Sequence, residues 1–181
     1  MPYEPPPELA GLSLAEIAEL VETRKLPPLD RWTPQDSGES DMRIAGDGTW
    51  YHDGGLIRRP AMVRAFSSLL MRDANGQHWL VTPYQKLSID VEDAAFIATD
   101  VRQEGETLAF LLNTDDLVIA GPDNPIVAEG DPDTPAIYLN VRHGTRARLN
   151  RSTYAQLAEI AFQGGDLTVS SKGATFSLTP S

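Results

Sequence analysis

Residues Leu80–Phe96, Leu-Val-Thr-Pro-Tyr-Gln-Lys-Leu-Ser-Ile-Asp-Val-Glu-Asp-Ala-Ala-Phe, constrain the fold more than any other stretch of this 181-residue chain. They read as a strand, a tight turn at Thr82-Pro83, a second strand, and an acidic crossing at Asp90–Asp93 into further strands. The segments before the crossing hold the longer helical patterns, and those after it alternate as short strands. The stretch therefore reads as a hinge between two small domains. It divides the chain into an N-terminal arm and helix (1–29), a first domain (30–88) and a second domain (89–181).

Turn signals fix most of the remaining pattern. Ser13-Leu14-Ala15-Glu16 is a capping box opening a helix with Leu14, Ile17, Ala18 and Val21 on one face, stopped at Pro27-Pro28. Residues 30–41 are polar and turn-rich. Strands Met42–Ala45 and Thr49–His52 flank Gly46-Asp47-Gly48, a strong hairpin signal. Arg58-Arg59-Pro60 opens a helix with Met62, Phe66, Leu69 and Leu70 as its apolar stripe. Asn75-Gly76 then leads into the hairpin Gln77–Thr82 with Gln85–Val91. Strands are expected at Phe96–Arg102, Thr107–Leu112 and Leu117–Ala120, followed by a Gly/Pro-rich loop from Gly121 to Pro135. Ile137–Val141 and Thr145–Leu149 form a hairpin at His143-Gly144. Ser152 caps a second helix ending at Gly164-Gly165, and a last hairpin turns at Lys172-Gly173. Arginine, helix, glycine turn and hairpin recur, once from Arg59 and once from Arg151, which reads as a duplication. The expected class is α+β: two related domains, each of antiparallel strands with one main helix followed by a hairpin.

Charge narrows the partners. The net charge is −11, and residues 89–135 carry twelve acids against Arg102 alone. A polyanion needs a contiguous basic face from which counterions are released, so neither a nucleic-acid polymer nor an anionic membrane is expected as a partner. A small anion held between the two short basic segments, 42–88 and 136–181, fits, and a protein partner stays open. The chain has no cysteine, so thiolate chemistry and disulfides are excluded. Met1–Pro7 lacks the basic and apolar regions of a signal peptide, and the expectation is a cytoplasmic protein.

No nucleophile elbow, Walker loop, dinucleotide fingerprint or zinc helix is present, so no cofactor and no catalytic residue is assigned. Asp41, Asp47 and Asp53 recur around glycine turns without calcium-loop spacing and read as turn residues. The arginines say more. A cation at a helix start is disfavoured by the dipole and is usually matched by an anion. Arg59 and Arg151 occupy such positions, and Lys86 and Arg142 complete a basic set between the domains. Asp90 and Asp93 either orient these cations or simply neutralise them. Trp50 and Tyr84 are the aromatics that would stack on a ligand, core packing being their simpler reading.

The ordered runs Asp41-Met42-Arg43-Ile44, Asp47-Gly48-Thr49-Trp50, Gly55-Leu56-Ile57-Arg58-Arg59, Leu80-Val81-Thr82-Pro83, Lys86 and Ile89-Asp90-Val91-Glu92-Asp93-Ala94 resemble the bacterial domain-of-unknown-function family 1285. Val141-Arg142-His143-Gly144 and Ala147-Arg148-Leu149-Asn150-Arg151 extend the resemblance into the second half. Gln85 and Ala95 stand where the family usually has Glu and Pro. The resemblance implies two similar domains, the second loosely like a pleckstrin-homology fold. It also implies an interdomain site for a nucleotide-like ligand and a role in signal transduction or the response to oxidative stress. It carries over no catalytic residue. The expected function is thus a small-ligand binding module, with a nucleotide as one candidate ligand. The alternatives are an enzyme acting on a phosphorylated small molecule with Asp90 or Asp93 as base, and a protein-interaction module without a small ligand.

Overall fold

A computed structural model describes residues 26–180. The capping box at Ser13, the proline-rich arm and most of the helix read after them lie outside the described residues. After a 3-10 turn at Leu29–Arg31, the chain forms strands β1 (Asp36–Ile44), β2 (Trp50–His52) and β3 (Gly55–Leu56). Helix α1 (Pro60–Ser67) follows, then β4 (Leu70–Arg72), β5 (His78–Val81) and β6 (Gln85–Val91). The second half runs through β7 (Phe96–Glu104), β8 (Thr107–Leu112), β9 (Leu117–Ile119), β10 (Ile126–Asp131), β11 (Thr134–Asn140) and β12 (Arg146–Leu149). Helix α2 (Arg151–Gln163) and the hairpin β13 (Thr168–Ser171) with β14 (Ala174–Ser177) close the chain.

The two halves share one strand plan. The first sheet has the order β3-β2-β1-β6-β5-β4, and the second β10-β11-β12-β7-β8-β9. Each is two three-stranded meanders whose first and last strands lie side by side. Those central pairs, β1 with β6 and β7 with β12, are parallel. The sheets are therefore mixed, where wholly antiparallel domains were expected. The repeat is real but its register differs from the sequence reading. The units are β1–β6 and β7–β12; α1 lies inside the first, between β3 and β4, and α2 follows the second. Arg59 and Arg151 are not equivalent positions.

Other differences have local causes. Asp36–Asp41 reads as a polar loop but forms most of β1, because Asp36–Glu39 pair with Gln85–Ser88 of β6. That partner lies far along the chain, and the exposed face of a sheet accepts polar side chains. A bulge between Glu39 and Arg43 places Asp41 at φ 56, with Ser40 Oγ donating to Ser88 O at 2.7 Å. β10 occupies part of the expected 121–135 loop, an edge strand paired only to β11. Asn150, not Ser152, caps α2: its Oδ1 accepts from Thr153 N at 2.9 Å. Met62 is exposed, and Val63 and Phe66 carry the packing face of α1, while Leu70 opens β4.

β6 runs to Val91 within the first sheet, so the boundary read between 88 and 89 falls inside a strand. The crossing is Glu92–Ala95, and Ala94 and Ala95 are buried. Nor does it behave as an open hinge. Ile44, Trp50, Leu70 and Ile89 of the first unit belong to the same apolar cluster as Phe96, Phe110, Leu112, Leu139 and Leu157 of the second. No helix among the described residues is long and apolar enough to cross a membrane.

Candidate functional site at the junction of the two units

The turn between β1 and β2 meets the second unit closely. Gly48 has φ +88, and a Cβ there would lie 2.7 Å from Ile97 Cγ1 and 2.8 Å from Asn113 Nδ2. Both the backbone conformation and the space require glycine. Asn113 is held from the other side: its Oδ1 accepts from Ile97 N at 3.0 Å, and its own N–H donates to Ile97 O at 2.8 Å. With the oxygen engaged by Ile97, the Nδ2 donor is the end that approaches Gly48.

Helix α1 supplies the opposite wall. Pro60 stands at its first turn, Arg59 is the N-cap without a side-chain capping bond, and the first turn has no acidic residue. Arg64 of α1 is ion-paired with Asp115 at 2.8 Å, across the junction. Beside it, Arg142 lies 3.5 Å from Asp116, which is only 3% exposed, and donates to Ser67 O at 3.5 Å. Its guanidinium also lies 5.2 Å from the centre of the Phe96 ring. Thr114 Oγ1 donates to Asp116 Oδ2 at 2.6 Å, fixing the β8–β9 turn that carries these acids.

Between these walls lies a cavity of about 190 Å³ lined by Gly48, Trp50, Arg58, Val63, Arg64 and Asn113, among others. Trp50 is 1% exposed, stacks on Phe66 with centroids 6.5 Å apart, and its buried Nε1–H has no hydrogen-bond acceptor among the described residues. Arg58 is exposed and makes no ion pair among the described residues. A second, larger hollow of about 390 Å³ lies at the ends of β1, β5 and β6, lined by Arg43, Gln77, His78, Asp90 and Glu92. His78 there is 7% exposed, and burial, then Arg72 and Arg146, depress its pKa to about 4.

The residues expected from sequence do not assemble into one pocket. Trp50 lines the smaller cavity; Arg59, the N-cap of α1, does not, although Arg58 and Pro60 on either side of it do. Arg142 is at the junction but engaged with Asp116 and Ser67. Asp90 lines the larger hollow. Asp93 accepts from Tyr138 Oη at 2.6 Å and pairs with Arg148 at 2.9 Å, so both its oxygens hold the second sheet in place. Lys86 Nζ lies 4.3 Å over the Trp79 ring on the first sheet. Arg151 is exposed at the start of α2, and Tyr84 is 82% exposed at the β5–β6 turn. Sequence reasoning missed Asn113 and Arg64. Asn113-Thr114-Asp115-Asp116 signalled only a turn, and nothing local said that the turn would face α1. Among the described residues no group of three or more His, Asp or Glu side chains could hold a metal ion. Asp47 instead uses its Oδ1 to accept from Thr49 N at 3.0 Å.

Two family models cover this architecture end to end. The DUF1285 N-terminal domain, a domain of unknown function, matches residues 27–94, and the DUF1285 C-terminal domain matches residues 95–178. The chain belongs to the DUF1285 family. The division at 94/95 falls in the buried crossing between β6 and β7. A solved DUF1285 family protein from Silicibacter pomeroyi DSS-3 is 37% identical over 93% of this chain and 95% of that one, with a TM-score of 0.75. A second, from Shewanella baltica OS155, is 20% identical over 65% of this chain and 90% of that one, with a TM-score of 0.54, a likeness of fold alone. Nothing among curated proteins matches.

Proposed function

We propose that this DUF1285 protein is a small-ligand binding module that holds an anionic ligand in the cavity between its two units. The observation that carries this reading is the donor-bearing lining of that cavity: the Asn113 amide and the guanidinium of Arg58. Both side chains are exposed donors, and a ligand rich in acceptor oxygens matches them. Cations beside the start of a helix favour the same chemistry.

A ligand there touches both units, Gly48 and Arg58 from one and Asn113 from the other, which suits a sensor whose bound state is read through the junction. That arrangement supports a signalling role of the kind implied by the family resemblance, with the nucleotide-like ligand as one candidate. The second unit, a sheet followed by α2, is in keeping with the pleckstrin-homology likeness. The enzyme alternative with Asp93 as base draws less support, because Asp93 is engaged by Tyr138 and Arg148.

The test is a thermal-shift panel of phosphate, sulfate, mononucleotides and small carboxylates on the purified protein. A ligand at 100 times its Kd adds about 2.7 kcal/mol, a readily measured shift. The expected outcome is stabilisation by an anion that Arg58→Ala removes. Stabilisation that survives Arg58→Ala, or none across the panel, would sink the assignment.

A further inference from the structure

The same cavity says which anion. Resting on the anion-holding reading above, we propose that its ligand is a compact monocarboxylate with an apolar body rather than a nucleotide or a polyhydroxylated phosphate ester.

The first ground is volume. At about 190 Å³ the cavity is below the roughly 300–1,000 Å³ of pockets that take drug-sized or cofactor-sized ligands. A nucleoside monophosphate would leave its base or its sugar outside, where nothing in the lining would select it.

The second ground is the kind of hydrogen bond the walls offer. Apart from the Thr49 hydroxyl, the lining is poor in acceptors. The Asn113 oxygen is taken by Ile97 N–H, the Thr49 carbonyl by Ala45 N–H at 2.8 Å, and the Trp50 carbonyl by Ile57 N–H at 3.0 Å. A sugar hydroxyl or an amino group brought into this space would leave its own donors unmatched, which costs affinity steeply. A carboxylate brings acceptors only. Its two oxygens meet the Asn113 amide and the Arg58 guanidinium fork, the pairing for which arginine geometry is suited.

The third ground is the rest of the wall. Ile57, Pro60 and Val63 complete the lining with hydrocarbon, and Ile57 and Val63 already pack on the core. Hydrocarbon opposite a donor cluster matches a ligand with one charged end and one apolar end. A free phosphate would satisfy the donors and leave the apolar wall unused.

The experiment compares butyrate, benzoate, acetate, inorganic phosphate and AMP by calorimetric titration into the full chain, the Arg58→Ala variant and the Asn113→Asp variant. Asn113→Asp keeps an oxygen for Ile97 N–H and sets a carboxylate oxygen in place of the donor facing Gly48. Arg58 is exposed, so its replacement leaves folding intact. The expected result is that butyrate or benzoate binds more tightly than acetate, phosphate or AMP, with at least a tenfold loss in each variant. If phosphate or AMP binds more tightly than any carboxylate and still depends on Arg58, the anion site stands and the carboxylate class falls. If no anion binds in a manner sensitive to Arg58 or Asn113, both readings fall together.

Discussion

Arg64 on α1 and Asp115 in the β8–β9 turn meet at 2.8 Å across the junction, and Asp115 holds its position at φ 65. The left-handed backbone turns the carboxylate towards a helix of the other unit, and aspartate and asparagine are the ordinary residues that accept it. Asp115→Asn keeps the backbone conformation and removes the charge. The expected loss is about 1 kcal/mol, since Asp115 is partly exposed and exposed ion pairs are screened. In a double-mutant cycle with Arg64→Met, urea denaturation should show a non-zero coupling; strictly additive losses would remove the pair from the account.

Gly144 stands against the first unit more tightly than Gly48 does against the second. Its φ is +78, and a Cβ would lie 2.3 Å from Arg72 O, while Arg72 N donates to His143 O at 2.9 Å. Gly173 has nearly the same backbone, φ +81, with nothing within 4 Å. Gly173→Ala should cost about 1 kcal/mol, the conformational penalty alone. Gly144→Ala should cost at least ~2 kcal/mol more, because backbone rather than a flexible side chain must move. Equal melting temperatures for the two variants would count against the close approach.

His78 ties stability to pH. Its folded pKa, about 4, lies below its ordinary value of 6.5 because burial and then Arg72 and Arg146 disfavour the imidazolium, with Asp73 opposing them. The unfolded chain therefore binds the proton first. Stability is full above pH 6.5, declines as pH falls from there towards 4, and loses up to roughly 3 kcal/mol from this residue. His143, depressed by burial and Arg142, adds in the same direction. Denaturation midpoints across that window should fall, and the His78 ring resonances should stay those of neutral imidazole at pH 5.5. An imidazolium there would contradict the burial.

Tyr138 reports on Asp93. Burial, and then the bond to Asp93, raise the Tyr138 pKa above its ordinary value of 10, with Arg148 and Arg146 opposing. Asp93→Asn should lower it and cost about 1–3 kcal/mol by leaving Arg148 without its carboxylate. Ultraviolet titration against a Tyr138→Phe blank measures the first effect and denaturation the second.

The apolar cluster runs unbroken from the first sheet into the second. Heat should therefore unfold both units in one transition, with circular dichroism and tryptophan fluorescence giving the same midpoint. Two separated transitions would mean that the units hold together independently.

Much of this arrangement could be read from the chain, and the unread parts share a cause. Asp47-Gly48, Asn75-Gly76, His143-Gly144 and Lys172-Gly173 announce their turns because positive φ favours glycine locally. Asp36–Asp41 announces nothing, because what makes it a strand is β6, some fifty residues away and met in parallel. The site was legible to the same degree. Arg58-Arg59-Pro60 marked the helix start, and Trp50 was named. Asn113 and Arg64 gain meaning only when the β8–β9 turn is brought against the β1–β2 turn and helix α1. Arg142 was named as an anion contact; it pairs with Asp116 inside its own unit and reaches the first unit through Ser67 O.

The side-by-side placement of first and last strands in each sheet sets a timetable for synthesis. β1 leaves the ribosome long before β6, its parallel neighbour, and β7 long before β12. Until the last strand of a unit emerges, its central strand keeps one edge unpaired, and sheet closure is a long-range, entropically costly step. Each half of the nascent chain thus passes through a period of exposed strand edge, when a chaperone or a neighbouring chain can pair with it. The three carboxylates of Asp36, Glu39 and Asp41 on the waiting strand are well suited to keeping such an edge from pairing with the wrong partner.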